Sequence, residues 1–369
     1  MLSYSYWELK EWFSNIDFTI VGSGIVGLNC ALYLKKKYPK AKIVILEKGV
    51  LPQGASSKNA GFACFGSLSE LIDDLNTHTK EEVLNLVKKR WHGLELLRRN
   101  LGDTNINFQQ NGGYELFLNS ELFYQCLEKK DEINALLKPL FKQSVFKTDE
   151  NIFNFGNIHN NYITNVFEGQ IDTGKMVVEL LNKVLKSGVQ IINATEVLEF
   201  DDNLNGVSIK TNRVGFTTKK LLLATNGFSR KLLNEKVKPA RAQVLITKPV
   251  ENLAIKGTFH LDRGYYYFRN IDGRILFGGG RNLDFKGEET TSFEQTELIQ
   301  KKLEEILREI ILPNQNIEIE HRWSGIMGVG SKKKAIVKQV SNNVYCGIRL
   351  GGMGVAIGSI VGKELAELV

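Results

Sequence analysis

Six residues near the start of the chain, Gly22-Ser23-Gly24-Ile25-Val26-Gly27, have the types and spacing to cradle a pyrophosphate. Gly22 permits a tight turn, Gly24 lets the backbone approach the phosphates, and Gly27 allows a helix to pack closely on the preceding strand. Glu47 follows twenty residues after the last of these glycines. An acid at that distance accepts hydrogen bonds from ribose hydroxyls and repels a 2′-phosphate. The elements that must position these groups are readable around them. "DFTIVG" (17–22) patterns as a buried strand, Ile25–Lys37 as a helix, and "AKIVILE" as a second strand ending at Glu47. The open N–H groups and positive end of the helix favour phosphate. The plain structural alternative is a tight turn followed by a surface acid, and the spacing argues against it.

That motif alone does not separate NAD from FAD. The stretch that follows, "LPQGASSKNAGFACFG" (51–66), is an extended run of small residues where an NAD-binding dehydrogenase continues into another regular βα unit. Here the sequence resembles the FAD-dependent oxidoreductases of the D-amino-acid oxidase superfamily, particularly the glycine oxidase, sarcosine oxidase and D-amino-acid dehydrogenase branch. The resemblance covers nearly the whole chain. It implies that Gly54, Ala55, Ser56, Ser57, Lys58, Asn59, Ala60 and Gly61 pass the ribityl and isoalloxazine parts of FAD, with Lys48 beside Glu47 also on the cofactor. It places the backbone of Val197 at the adenine, and Ala224, Thr225, Asn226 and Gly227 of "LLLATNGFS" beside FAD. "VYCGIRLGGMGVAIG" matches the family's C-terminal cofactor end. Physical reasoning supports that last match separately. Gly347, Gly351, Gly352 and Gly354 let the backbone lie against a flat ring, and a helix beginning near Met353, with Val355 in its first turn, aims its positive end there. Such an end stabilises the negative charge of a reduced flavin.

For the substrate, "GYYYFRNIDGRILFGGGRN" reads as a hairpin of Tyr265 to Asn270 and Arg274 to Gly279 around a polar turn. Tyr265, Tyr267 and Arg269 then share one face. The resemblance sets tyrosines over the flavin, so Tyr265 and Tyr267 become candidates for a pocket wall, against the alternative of an aromatic face packed on core. Arg349, before the glycines of "GIRLGG", resembles an arginine beside the flavin and is the candidate carboxylate clamp, with Arg269 and Arg281 as weaker choices. Three departures from the family stand out. Met327 of "GIMG" occupies the place of a clamp arginine, "MGVGSKKKA" has no cysteine for covalent flavin, and Leu276 replaces an oxygen-activating lysine. FAD is therefore expected to be non-covalent, and the electron acceptor to be oxygen or a quinone or electron-transfer partner.

Composition agrees with such an enzyme. The chain has 369 residues, 43% hydrophobic and 24% charged, enough for two cores and too apolar for disorder. Cys30, Cys64, Cys126 and Cys346 form no C-x-x-C pair and are expected to be reduced and buried. His78, His92, His159, His260 and His321 are scattered, so no metal site and no catalytic histidine is expected. The net charge of +7 lies in short separate clusters without interleaved aromatics, which argues against nucleic acid. With no long apolar run or signal segment, the expected location is cytoplasmic. The N-terminal "YSYWELKEWF" is expected to pack on its own domain in preference to a peripheral membrane contact.

The expected fold is α/β: a Rossmann-like FAD-binding domain of the GR2 type, with an antiparallel-sheet α+β substrate domain inserted. The FAD unit takes residues 1–80, 171–235 and 321–369, and the substrate unit 81–170 and 236–320. The expected reaction is oxidation of a small amine, favouring an amino acid, by hydride transfer to flavin N5 and hydrolysis of the imine. Oxidation of a 2-hydroxy acid or glycerol phosphate, or a non-catalytic flavoprotein that binds a partner, are the alternatives.

Overall fold

A computed structural model describes residues 4–313 and 315–369. Strands β1 (Ile16–Val21) and β2 (Ile43–Leu46) are apolar along their length because both faces of their sheet are covered. β1 pairs parallel with β2 on one side and with Gly215–Leu223 on the other, and the latter pairs parallel with Val344–Ile348. Gln190–Ile192 extends the parallel set beyond β2, while Val197–Asn203 and Gly206–Thr211 add an antiparallel arm. Helices Ile25–Lys37 and Gly354–Glu367 pack on one face so closely that a Cβ at Gly362 would press on the Val26 carbonyl oxygen. Phe18, Ile20, Leu28, Leu34, Val361 and Leu365 are buried in that layer.

The second eight-stranded sheet runs Ile319–Val329, Lys238–Thr247, Arg274–Gly279, Tyr266–Ile271, Thr258–Leu261, Gly113–Leu116, Asn161–Asn165, Phe146–Glu150. Its pairs are antiparallel except that between Thr258–Leu261 and Gly113–Leu116. Strand alternation divides its two faces. Leu245, Phe259, Phe268 and Phe277 meet Ile299 and Leu303 of helix Glu297–Ile306 on the outer face. Val244, Tyr267 and Leu276 on the other face turn to Ala60. A cavity lies between that inner face and the first sheet.

Most elements fall where periodicity places them, and the differences have physical causes. The periodicity of residues 120–137 predicts a helix, and helix Ser120–Phe141 runs a turn past that stretch, through Pro139, because Leu137 and Phe141 both bury in the same core. A helix at Leu68–Leu75 lies in a stretch too short to show a period; a capping box between Ser67 and Glu70 starts it. Core membership does not follow the expected chain division. Leu94, Leu97, Leu101 and Ile106 belong to the first core, since Gly93 of helix Lys80–Leu101 sits against the Ala356 backbone of the C-terminal helix. Strand Ile319–Val329 pairs along its length with Lys238–Thr247 in the second sheet, across the expected boundary at 320.

The N-terminal expectation is corrected. Helix Tyr6–Trp12 buries none of its residues, and Tyr6, Trp7 and Trp12 are exposed. Seven residues are too few to set a whole aromatic face on the domain. Phe13, just past the helix, packs against Phe216 at 5.4 Å, and the half-buried Tyr4 meets Phe13 edge-on at 5.5 Å. All four cysteines are free and buried. Among the described residues no helix is long and apolar enough to cross a membrane, and no cluster of metal-ligating side chains occurs.

Candidate active site

The cavity has a volume of about 670 Å³ and runs from the glycine turn after β1 to the inner face of the second sheet. At the turn, Gly22 has φ +106°, which favours glycine, and a Cβ there would press on the Ala224 carbonyl oxygen. A Cβ on Gly27 would overlap the Gly22 carbonyl oxygen, so this glycine permits helix packing and does not border the cavity. Gly22, Gly24, Ile25 and Val26 do border it. The N–H groups of Gly24 and Val26 have no protein acceptor among the described residues. The Ile25 N–H is already bonded to the Ser56 hydroxyl at 2.9 Å.

Ser23 is wholly buried, and its contribution is indirect. Its hydroxyl and N–H donate to Glu47 Oε2 at 2.8 and 3.1 Å, while Oε1 accepts from Gly49 N at 3.0 Å. The carboxylate is thus aimed before any ligand arrives. Beyond it, Lys48 lies over the Phe228 ring, 3.3 Å from its centroid, and burial moves its pKa down. Val197 and Thr225 border the same end, and the buried Thr225 hydroxyl has no partner among the described residues. Gly227 does not reach the cavity, because it packs against the Met327 carbonyl of the neighbouring strand; Ala224, Asn226 and Phe228 border it around that point.

The segment 54–61 forms the middle wall. Ala55, Ser56, Lys58, Asn59, Ala60 and Gly61 border the cavity. Ser57 turns away, its hydroxyl donating to Pro52 O at 2.6 Å. The Asn59 amide is used within the protein, donating to Ser56 O at 2.8 Å and Ala55 O at 3.2 Å, and accepting from Gly61 N and the Thr173 hydroxyl. Its role is to shape the segment, while Lys58 projects toward Phe293.

Gly351, Gly352, Met353, Gly354 and Val355 border the cavity opposite, where helix Gly354–Glu367 begins. Gly351 and Gly352 have positive φ. Gly347 serves packing instead, against Val26, Val361 and Leu365. The expected clamp, Arg349, is corrected. Its guanidinium donates to Lys334 O at 2.8 and 3.0 Å and reaches Lys236 O at 3.5 Å, and its side chain does not border the cavity. Arg349 has φ +63°. That turn sends the side chain out while the following Leu350 faces in.

On the second sheet the hairpin forms over Tyr266–Ile271 and Arg274–Gly279, with Asp272 and Gly273 as its two-residue turn. Tyr265 and Tyr267 border the cavity. Tyr265 precedes the strand and is more than a third exposed, whereas the Tyr267 phenol is pushed up to about 12 by burial. Arg269 shares the Tyr267 face but ends on the Ala60 carbonyl oxygen, with burial pulling its pKa down to about 10. Arg281 borders the cavity, stacked on Phe285 at 4.7 Å.

A family model described as FAD dependent oxidoreductase (DAO) matches residues 17–368. The chain belongs to that family. This FAD-dependent oxidoreductase is 21% identical over 376 residues to the oxidoreductase OrdL of Haemophilus influenzae, covering 96% of this chain and 82% of the relative. It is 22% identical to the gamma-glutamylputrescine oxidoreductase of Escherichia coli K12, covering 96% and 83%. Among solved structures, glycine oxidase from Geobacillus kaustophilus superposes with a TM-score of 0.77 at 17% identity, covering 95% of this chain and 94% of that one. L-proline dehydrogenase from P. horikoshii gives 0.75 at 19%, covering 96% and 93%. These likenesses carry the fold, an FAD-binding unit with its substrate sheet.

The residues present fit the cofactor of an FAD-dependent oxidoreductase. Unbonded backbone N–H groups, a pre-aimed acid and the orphaned Thr225 hydroxyl line one end, and a glycine cradle at a helix start lines the middle. Sequence reasoning missed several groups at the far end. His260, Arg90, Glu70, Asp73 and Cys64 all border the cavity. Cys64 closes the small-residue stretch, while His260, Arg90, Glu70 and Asp73 come from elements with no motif: a strand of the second sheet, helix Lys80–Leu101 and the unanticipated Leu68–Leu75 helix.

Proposed function

We propose that the protein oxidises the carbon–nitrogen bond of a small amine, favouring an amino acid, with FAD held non-covalently. The observation that carries this reading is one continuous cavity joining the dinucleotide turn to the inner, tyrosine-bearing face of the second sheet. When bound, FAD would supply the hydride acceptor, with oxygen or an electron-transfer partner as the final acceptor. The protein's part is to bind and to orient. Gly24, Val26 and Thr225 would donate to the phosphate portion, and Val197 would meet the adenine. Glu47 already accepts three protein hydrogen bonds, and a carboxylate has about four lone-pair sites, so it has room for one ribose hydroxyl. The start of helix Gly354–Glu367 would stabilise negative charge at the ring.

Tyr267 and Tyr265 would wall the substrate, and the surrounding apolar face of Val244 and Phe62 excludes water from it. Cys64 is the cysteine that borders the cavity, and burial raises its thiol well above the usual range. A neutral thiol is a poor nucleophile, which favours non-covalent FAD. Acid precipitation would then release all the flavin into the supernatant.

The deciding experiment is anaerobic bleaching of the flavin by a panel of primary amines, N-methylated amines, amino acids and 2-hydroxy acids, followed by air. Bleaching by amino acids is expected. Bleaching by hydroxy acids alone would replace this reading with alcohol oxidation, and no bleaching by any of them would favour a non-catalytic flavoprotein. The rate at which colour returns in air identifies the acceptor class.

A further inference from the structure

An amino-acid substrate needs a cation where its carboxylate lies, and the two positions expected to supply one do not. Met327 is apolar, and the Arg349 guanidinium is occupied by backbone carbonyls outside the cavity. The register of the second sheet offers another. His260 stands opposite Tyr267 on one side and Glu115 on the other, so the three project to the same face. His260 Nε2 lies 2.6 Å from Glu168 Oε1, which also accepts the Thr258 hydroxyl at 2.7 Å. Both Glu168 and His260 are buried. Phe62 packs edge-on against His260 and Tyr267, at 5.3 and 5.6 Å. Nδ1 has no protein partner among the described residues, and the residue borders the cavity. The Tyr267 ring leans over Gly278, its partner on the neighbouring strand.

Among the other cations on this cavity, Lys333 pairs with Asp74 at 2.5 Å and Arg90 donates to Phe65 O, while Arg281, stacked on Phe285, and the exposed Arg263 have no carboxylate partner among the described residues and are the competing candidates that the His260 variant tests. We propose that His260, oriented by Glu168, is the anion-recognition group of the substrate pocket, its Nδ1–H donating to the carboxylate of the amine that is oxidised. This rests on the amine-oxidation reading and deepens it by naming the residue that recognises the carboxylate of the amine. Charge supports the geometry. Burial alone would strip the imidazole of its proton, but the Glu168 charge and hydrogen bond, with Glu70 and Glu115 behind them, push its pKa up to about 9. Glu70 faces it from helix Leu68–Leu75, Glu115 from strand Gly113–Leu116, Tyr267 from the next strand, and Cys64 from the same cavity wall. The imidazolium form therefore persists through neutral pH.

The test uses the FAD-loaded enzyme, with acetate and its neutral isostere acetamide as probes. Binding is followed by calorimetry and by the visible flavin spectrum from pH 6 to 10. Wild type should bind acetate at pH 7 and prefer it to acetamide. His260→Gln should weaken acetate about tenfold or more and leave acetamide unchanged. Acetate affinity should fall as pH rises through about 9 in wild type and stay flat in His260→Gln. Glu168→Gln should move that fall down toward the ordinary value of 6.5, which carries the test if His260→Gln does not fold. Acetate binding unchanged in His260→Gln, no preference for acetate in wild type, or no shift in Glu168→Gln overturns the proposal. If acetate binding depends on His260 while no amine bleaches the flavin, the anion site stands and the amine reading fails.

Discussion

The two ends of the cavity are built from different materials. The cofactor end formed by Gly22, Gly24, Ile25, Val26 and Glu47, together with the adjoining 351–355 cradle, is largely backbone: positive-φ glycines, free N–H groups and helix starts, with one acid locked by Ser23. The end formed by the second sheet is side chain: Tyr267, His260 and Phe62, held by partners remote in the chain such as Glu168. Backbone presents the same groups whatever the neighbouring side chains are, so the first end depends on which residues are glycine. Side chains depend on register and burial, so the second end can be retuned without disturbing the first.

Breaking each end should therefore look different. The largest loss is expected at the side-chain end from Arg241→Met, on the strand that carries Ala242 and Val244 to the cavity. Arg241 forms a bidentate pair with Glu288 at 2.6 and 2.9 Å, with both side chains buried, and removing one partner strands the other charge. A loss of about 3–5 kcal/mol by denaturant unfolding is expected. At the backbone end, Gly27→Ala forces the glycine turn apart, at about 1–3 kcal/mol, and the purified protein should have lost its flavin absorbance.

A smaller effect separates the roles within the second end. Tyr267→Phe keeps the wall and removes a hydroxyl, so KM for the substrate should rise by up to about tenfold with flavin content unchanged. Stability should carry the histidine signature as well. The folded-state pKa of His260 is raised to about 9 from 6.5, so its contribution is complete below about 6.5 and lost as pH rises through about 9. Thermal melts from pH 6 to 10 should show that decline in wild type and less of it in His260→Gln. The smallest expected change is in Arg349→Leu, whose KM should stay within about twofold of wild type, because the lost hydrogen bonds go to Lys334 and Lys236 and not to substrate. A large rise in KM would return Arg349 to the pocket.

The chemistry legible in the sequence was local. A glycine spacing, an acid at the end of a strand and a small-residue segment each act over a few neighbouring residues, and their placement at the cavity follows from the strand-to-helix turns that contain them. Several residues expected at the cofactor or substrate, among them Ser23, Gly27, Ser57, Gly227, Gly347, Arg269 and Arg349, instead support the wall from behind or point away. Sequence neighbours of Ser23, Gly27, Ser57, Gly227 and Arg349 border the cavity, but a side chain's direction is set by φ and by the acceptors around it.

His260 shows the opposite case. In the sequence it is one of five scattered histidines, with no motif around it. Its meaning comes from pairing with Tyr267 across one strand boundary and Glu115 across the other, and from Glu168, ninety-two residues earlier, closing on its Nε2. The sequence by itself determined a dinucleotide site, because backbone recognition of a dinucleotide is written in residue type and short spacing, and its resemblance to a family narrowed that site to FAD. Only the tertiary structure decided the substrate wall, because the charge and aim of a buried side chain depend on partners that the fold, and not the chain order, brings within hydrogen-bond distance.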